Sequence, residues 1–278
     1  MFEMLVIILL FFMYSFLGWS WETVYVSLRQ KHFAYRGFLF GPITPIYGFA
    51  ILGVLYFLEP LQNNVGLLFV GAVVICSVAE YVTSFALEKM FHASWWDYHD
   101  VPLNVNGRIA LPISLFWGLA CLGIVYYVQP LFLQGAQFVL RKTGPWLPLT
   151  LTAITIADLI MTVKNMVAFQ KAVAAINASL AEKVQEVTSN LEEVKTSIAE
   201  KRDNAESLLN KRRQKLAQWR EDLFTQPEKL LKVPQFNFHQ RRWLKNFQRL
   251  ELKNSALSSE EIRKFIKERQ AKFTDKKR

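Results

Sequence analysis

The feature that most limits this chain is a series of apolar stretches, each approaching or exceeding the length of a membrane crossing, confined to its first 170 positions. A helix needs about 20 mostly apolar residues to cross the hydrocarbon layer, where backbone polar groups must find partners within the protein. Five stretches predict spans: residues 4–26, 42–58, 65–87, 111–128 and 146–169. The second is the shortest and opens on Gly41-Pro42-Ile43-Thr44-Pro45, which predicts a broken or re-entrant lead-in in place of a regular first turn. Trp and Tyr lie near the expected ends, at Trp19, Trp21, Tyr25, Tyr35, Trp95, Trp96, Tyr98, Trp117, Tyr126, Tyr127 and Trp146. Such side chains pair an apolar body with a polar edge and favour the interface. The apolar run 4–12 has no basic residue before it and no small-residue cleavage site after it, so it is expected to remain as the first span.

Charge divides the chain at about the same point. Residues 1–170 carry eight basic and eight acidic side chains, whereas residues 171–278 carry 25 basic against 15 acidic, so the net charge of +10 belongs to the tail. The expected fold is therefore all-α, a polytopic membrane helix bundle of about five spans followed by a cytoplasmic amphipathic or coiled-coil helical tail. Its expected domains are residues 1–170 in the membrane, 171–225 as a coiled-coil-like helix, and 226–278 as a basic tail. Arg29, Lys31 and Arg36 follow the first span and Lys89 and Arg108 follow the third, whereas the loop after the second has no basic residue. Basic loops are retained in the cytoplasm, which puts the N-terminus outside the cell membrane and the tail inside, with Arg141 and Lys142 the exceptions.

In the tail, Val187, Leu191, Val194, Ile198, Ala205 and Leu208 recur at three/four spacing, interrupted by Lys201 and Arg212. This pattern is a seam for self-association or hairpin packing, or one face of a solvated helix that prolongs the last span. Beyond Pro227, Phe236, Phe238, Trp243 and Phe247 alternate with His239, Arg241, Arg242, Lys245 and Arg249. The mixture suits an anionic lipid surface, and membrane tethering favours lipid over nucleic acid. Ser258-Ser259-Glu260-Glu261 reads as a further helix start. Asn177-Ala178-Ser179 matches a glycosylation acceptor, accidental on the cytoplasmic side.

Ionisable side chains inside a membrane ask for a partner or a function. Glu22 follows Gly18-Trp19-Ser20-Trp21 at the end of the first span, where it can reach the interface or pair with Arg36 or Arg108. Glu80 lies fifteen residues into the third expected span and is the leading candidate for a functional intramembrane group; the alternative is a packing residue hydrogen-bonded to another helix through Tyr47. Glu88, eight residues on, is expected on the same face, so the two carboxylates can form a polar track for protons, cations or a cationic substrate. Asp158 and Lys164 are six apart, wrong for an i,i+4 pair, so at least one answers to another helix.

The loop from Trp95 to Arg108 concentrates polar and aromatic groups, among them Asp97, Asn104 and Arg108. His92, Asp97, His99 and Asp100 are metal-ligand types at spacings that match no zinc signature, and no metal or cofactor is expected. Arg108 and Gly107 suit phosphate or headgroup recognition. They suit equally a rigid cytoplasmic plug in which Asp97, Glu22 or Glu88 neutralises the arginine. Cys76 and Cys121 lie in apolar runs and are expected as buried or lipid-facing thiols.

Several motifs together carry a resemblance: Gly18-Trp19 with Glu22, Arg36-Gly37 through Gly41-Pro42 to Pro45-Ile46-Tyr47-Gly48, Glu80-Tyr81, Leu87-Glu88, Trp96-Asp97-Tyr98, Asn104, Asn106-Gly107-Arg108-Ile109 and Trp117-Gly118. Over about residues 12–125 the chain resembles the bacterial family called Putative ABC-transporter type IV, or CmpB-like ABC transporter permeases. Where such members often carry Cys after the Arg-Ile pair, this chain has Ala110. The resemblance implies a permease-like transport component and a separate ATPase subunit, since no GxxxxGK[ST] phosphate loop occurs here.

Three functions compete on these residues. A transport component would use Glu22, Arg36, Tyr47, Glu80, Glu88, Asp97, Asn104 and Arg108 as a polar path or binding site. A membrane-embedded enzyme or binding protein for a lipid or lipid-linked phosphate would use Glu80 or Asp97 as acid/base and Arg36 with Arg108 on phosphate. A scaffold would act through a coiled-coil tail as a homo-oligomer. Membrane lipids are partners in all three.

Overall fold

The computed structural model describes residues 1–200, 214, 236–247 and 251–252. The chain forms two compact units, Met1–Met166 with Lys245–Glu251, and Val167–Leu244 with Leu252–Arg278.

In the first unit the apolar stretches become helices: α1 (Phe2–Gln30), α2 (Pro45–Phe57), α3 (Val65–Phe91), α4 (Leu111–Gly123) and α5 (Gln129–Thr143), followed by the start of α6 (Trp146–Glu200). Asn64 caps α3, its side chain accepting from the Leu67 N–H at 3.0 Å. A five-residue π turn, Ile124–Val128, joins α4 to α5 just before Pro130. A proline removes one helical N–H and crowds the preceding turn, and a π turn is the usual local remedy. The helix therefore continues to Thr143, fifteen residues past the expected end at 128.

Among the described residues, four stretches are long and apolar enough to cross a membrane: Phe2–Gln30, Val65–Phe91, Leu111–Thr143 and Trp146–Ser179. The outer faces agree. Val70, Val74, Val78 and Val82 form an i,i+4 stripe on α3, each more than half exposed, a costly surface in water and a natural one in lipid. The second expected span differs: α2 has 13 residues, a rise of about 20 Å against a hydrocarbon layer of about 30 Å. Its helix begins only at Pro45 because the residues before it do not form regular structure.

Several polar backbone groups of that lead-in are held by neighbours. The Asp158 carboxylate, in α6, accepts from the Phe40 N–H at 2.9 Å and the Gly41 N–H at 2.7 Å. Thr162, fully buried one turn on, donates to the same carboxylate at 3.0 Å. The Thr44 N–H donates to the Ser15 carbonyl at 3.0 Å, the Tyr35 hydroxyl to the Phe40 carbonyl at 2.7 Å, and Trp19 Nε1 to the Arg36 carbonyl at 3.0 Å. Asp158 thus answers to the backbone beside α2, and not to Lys164.

Small residues let α1 and α2 approach. A Cβ on Gly18 would fall 2.2 Å from the Tyr47 ring, and one on Gly48 would fall 2.4 Å from Ser15 Oγ. This is the small-residue packing that brings helices together in membranes, where no hydrophobic drive acts between them. One buried cluster joins Leu5, Leu9 and Tyr14 of α1 to Ile51 of α2 and Ala136 and Leu140 of α5; a second joins Val54 and Leu58 to Leu68, Ala72, Cys121 and Val125.

In the second unit, Phe169 meets the rings of Phe236 at 5.7 Å and Trp243 at 6.2 Å, and Ile176, Trp243 and Leu244 are almost wholly buried. Trp243 and Leu244 belong to α7 (Phe238–Asn246). Two of the aromatics expected to face lipid therefore pack inward, while Phe238 stays exposed. The backbone of α6 is helical to Glu200. The seam side chains from Val187 to Ile198, the seam positions Ala205 and Leu208, and the helix start at residues 258–261 lie outside the described residues.

Removing the Asp158 carboxylate strands two amides. Asp158→Ala is expected to destabilise the protein by about 2–4 kcal/mol, with Asp158→Asn intermediate, measured by thermal unfolding in detergent. An unchanged Tm for Asp158→Ala would refute this account of the lead-in.

Candidate functional site

Within the first unit, the lead-in and α1 to α4, with one face of α6, enclose a cavity of about 560 Å³. Its walls are chiefly apolar and aromatic, including Trp21, Phe38, Trp95, Trp96, Phe116 and Trp117. Among the described residues, its charged lining consists of Glu22, Arg36 and Glu80.

Glu22 and Arg36 neutralise one another. Glu22 Oε1 accepts from the Tyr47 hydroxyl at 2.7 Å, and Oε2 lies 3.5 Å from Arg36 Nε. Gly18 makes this possible, because the space it leaves holds the Tyr47 ring against α1, one turn before Glu22. Arg36 is held from its other side as well: Nη1 donates to the Asn246 carbonyl at 2.7 Å, and the guanidinium lies 4.0 Å from the centre of the Phe247 ring. Asn246 Nδ2 donates in turn to the Tyr35 carbonyl at 2.9 Å.

Glu80 has different company. Its Oε1 accepts from the Tyr98 hydroxyl at 3.0 Å, and no cation lies against it among the described residues. Tyr47, expected as its partner, belongs to Glu22 instead. Two further groups on cavity-lining residues, Trp95 Nε1 and Thr44 Oγ1, are buried without a hydrogen-bond partner among the described residues.

Glu88 does not extend a track from Glu80. Eight residues at about 100° each leave the two side chains roughly 80° apart around the helix, so only one of them faces the cavity. Glu88 is bound outside it by Arg108, whose Nη2 donates to Oε2 at 2.8 Å, with both side chains about 15% exposed. Arg108 also lies over the rings of Tyr81 and Phe85, at 5.3 and 5.5 Å. This is the neutralised arginine of the plug alternative, and Glu88 is the carboxylate that neutralises it.

The loop itself is tied internally. Strands β1 (Asn104–Val105) and β2 (Ile109–Ala110) pair antiparallel, with Asn104 opposite Ala110 and Val105 opposite Ile109. Asn104 Nδ2 donates to the carbonyls of His99 and Val101, and its Oδ1 accepts from the Gly107 N–H at 3.1 Å. Asp97 Oδ1 meets both His99 Nδ1 and the His99 N–H. Gly107 has φ +64°, and a Cβ there would fall within 2.4 Å of both Asp97 and His99. Its glycine is demanded by these two side chains. Ala110, fully buried, caps the start of α4.

Of the residues expected to form one site, the structure brings Glu22, Arg36, Tyr47 and Glu80 to the cavity. Asp97, Asn104, Glu88 and Arg108 brace the loop beside it. Sequence reasoning missed Phe247, which lines the cavity from 211 positions beyond Arg36, where no local spacing could reveal it. It also missed the approach of Cys76 to Cys121, sulfurs 3.5 Å apart. The tryptophans were visible in the sequence but were read as interface markers.

The loop bracing is testable by exchange. Glu88→Ala and Arg108→Ala are each expected to cost about 2–3 kcal/mol, because each leaves a half-buried charge alone. The reciprocal exchange Glu88→Arg/Arg108→Glu should recover at least half of that in thermal unfolding; additive losses would show that the pair does not act as one.

No curated protein and no solved structure matches this chain. The family whose description is Putative ABC-transporter type IV matches residues 9–163, more than half of the sequence and all of the elements that enclose the cavity except Phe247. The chain, with four membrane-length apolar helices among its described residues, belongs to that family.

Proposed function

We propose that this chain is the membrane-embedded, permease-like component of a transport system, and that the cavity of the first unit receives the transported molecule. The observation that carries the reading is the cavity itself: about 560 Å³ among membrane-length helices, with Glu22, Arg36, Tyr47 and Glu80 grouped on its walls. Ionisable groups are retained in such surroundings at a cost, which transport pathways repay with function. The chain has no phosphate loop, so a separate subunit supplies ATP hydrolysis.

The topology that accompanies this reading has five crossings, the third to fifth being α3, α4 with α5, and α6. The second consists of α2 together with its non-helical lead-in, which protein groups satisfy as irregular backbone at membrane depth requires. The N-terminus lies outside the cell membrane, and the tail is cytoplasmic and associates copies of the chain with one another, with lipid or with the ATPase. A lipid-binding role draws support from the same apolar walls. A phosphate-binding enzyme draws less, since Arg108 is already bound to Glu88 and Arg36 to Glu22.

Affinity purification from membranes, with partners and lipids identified by mass spectrometry, tests the proposal. A stoichiometric ATPase subunit is the expected result. Recovery of the chain alone with one enriched phospholipid would overturn the permease reading in favour of lipid binding.

A further inference from the structure

The charge inventory of the cavity points to the class of molecule it takes. Glu22 and Arg36 cancel, which leaves Glu80 as one uncompensated carboxylate in an apolar, tryptophan-rich chamber. A carboxylate so placed is stable as an anion only beside a cation. Aromatic faces are the complementary surface for a poorly hydrated organic cation, and four tryptophans line this cavity: Trp21, Trp95, Trp96 and Trp117. The contrast with Glu88 sharpens the point, because that carboxylate, on the same helix, already has Arg108 as its counter-charge.

We infer that the cavity binds amphiphilic organic cations, an ammonium or similar centre on an apolar body, with the positive centre between Glu80 and the indole rings. The ammonium of a lipid headgroup and that of a free amphiphile present the same chemistry to Glu80. This inference rests on the cavity being the ligand site of the proposed function, and it adds the sign of the ligand's charge.

The test uses the full-length protein in a neutral detergent and a pair of ions of nearly equal shape and opposite charge, tetraphenylphosphonium and tetraphenylborate. Quenching of tryptophan fluorescence, corrected for partition into protein-free micelles, reads binding. Tetraphenylphosphonium is expected to bind saturably and tetraphenylborate not. Glu80→Gln should weaken the phosphonium by about tenfold or more, whereas Glu59→Gln, on the exposed turn after α2, should leave it unchanged. The comparison of the two ions on the unmodified protein keeps the test open if Glu80→Gln fails to fold. Native mass spectrometry before and after phosphonium addition separates the sources. A displaced amino- or choline-headgroup lipid assigns the cation to lipid, an empty cavity at the start assigns it to a free amphiphile, and either supports the inference. Equal binding of the two ions, or binding indifferent to Glu80→Gln, would overturn the cation inference while leaving a cavity ligand site standing. No saturable binding of either ion or of any lipid would overturn both.

Discussion

An amide N–H left without a partner among membrane helices carries a penalty of several kcal/mol, and the stretch from Arg36 to Thr44 presents a run of them that no helix satisfies. Asp158 answers that demand at Phe40 and Gly41 from α6 and the Ser15 carbonyl answers it at Thr44, while Trp19 and Tyr35 donate to the carbonyls of Arg36 and Phe40. The rest of the site depends on it. Once the lead-in is fixed, Arg36 sits beside Glu22, α2 begins at Pro45, and the Tyr47 ring lies against Gly18 with its hydroxyl on Glu22. The intramembrane charge of Asp158 is thereby structural, held by three hydrogen bonds, and the lead-in's irregular backbone is what opens a chamber between α1 and the helices around it.

Four carboxylates of this unit receive three treatments. Asp158 is spent on backbone amides, Glu88 and Glu22 on arginines, and Glu80 on a single phenol. In a medium of low polarity these are very different states. A carboxylate with two amides and a hydroxyl is satisfied as an anion, and one paired with a guanidinium is neutral as a unit. A carboxylate beside one hydroxyl is neither. That difference is why the functional reading settles on Glu80 and the cavity, and not on the denser polar collection of the loop from Trp95 to Arg108, whose groups satisfy one another.

The spans were legible because crossing a membrane imposes a length and composition that any window of sequence displays, and residues 4–26, 65–87 and 146–169 became helices that contain them. The irregular start of the second was legible from Gly41, Pro42 and Pro45, since each restricts the backbone locally. Partner choice was legible only where alternatives were few: Glu22 with Arg36 emerged from two options, and Glu88 with Arg108 from three. Partners set by helix rotation and tertiary approach were not. Glu80 and Glu88 looked like one face until the turn angle separated them, and Tyr47 looked like the partner of Glu80 until Gly18 drew it to Glu22. Phe247, one of the tail aromatics, flanks Arg36 together with Asn246, a contact between positions more than 200 apart.

Labelling with dicyclohexylcarbodiimide, an apolar reagent that adds to carboxyl groups lacking a cationic partner, followed by peptide mass spectrometry, tests the central claim most directly. The account predicts an adduct on Glu80 and none on Glu88 or Asp158, because only Glu80 faces the apolar cavity without a counter-charge or a set of backbone donors. An adduct on Glu88 with Glu80 unmodified would contradict it.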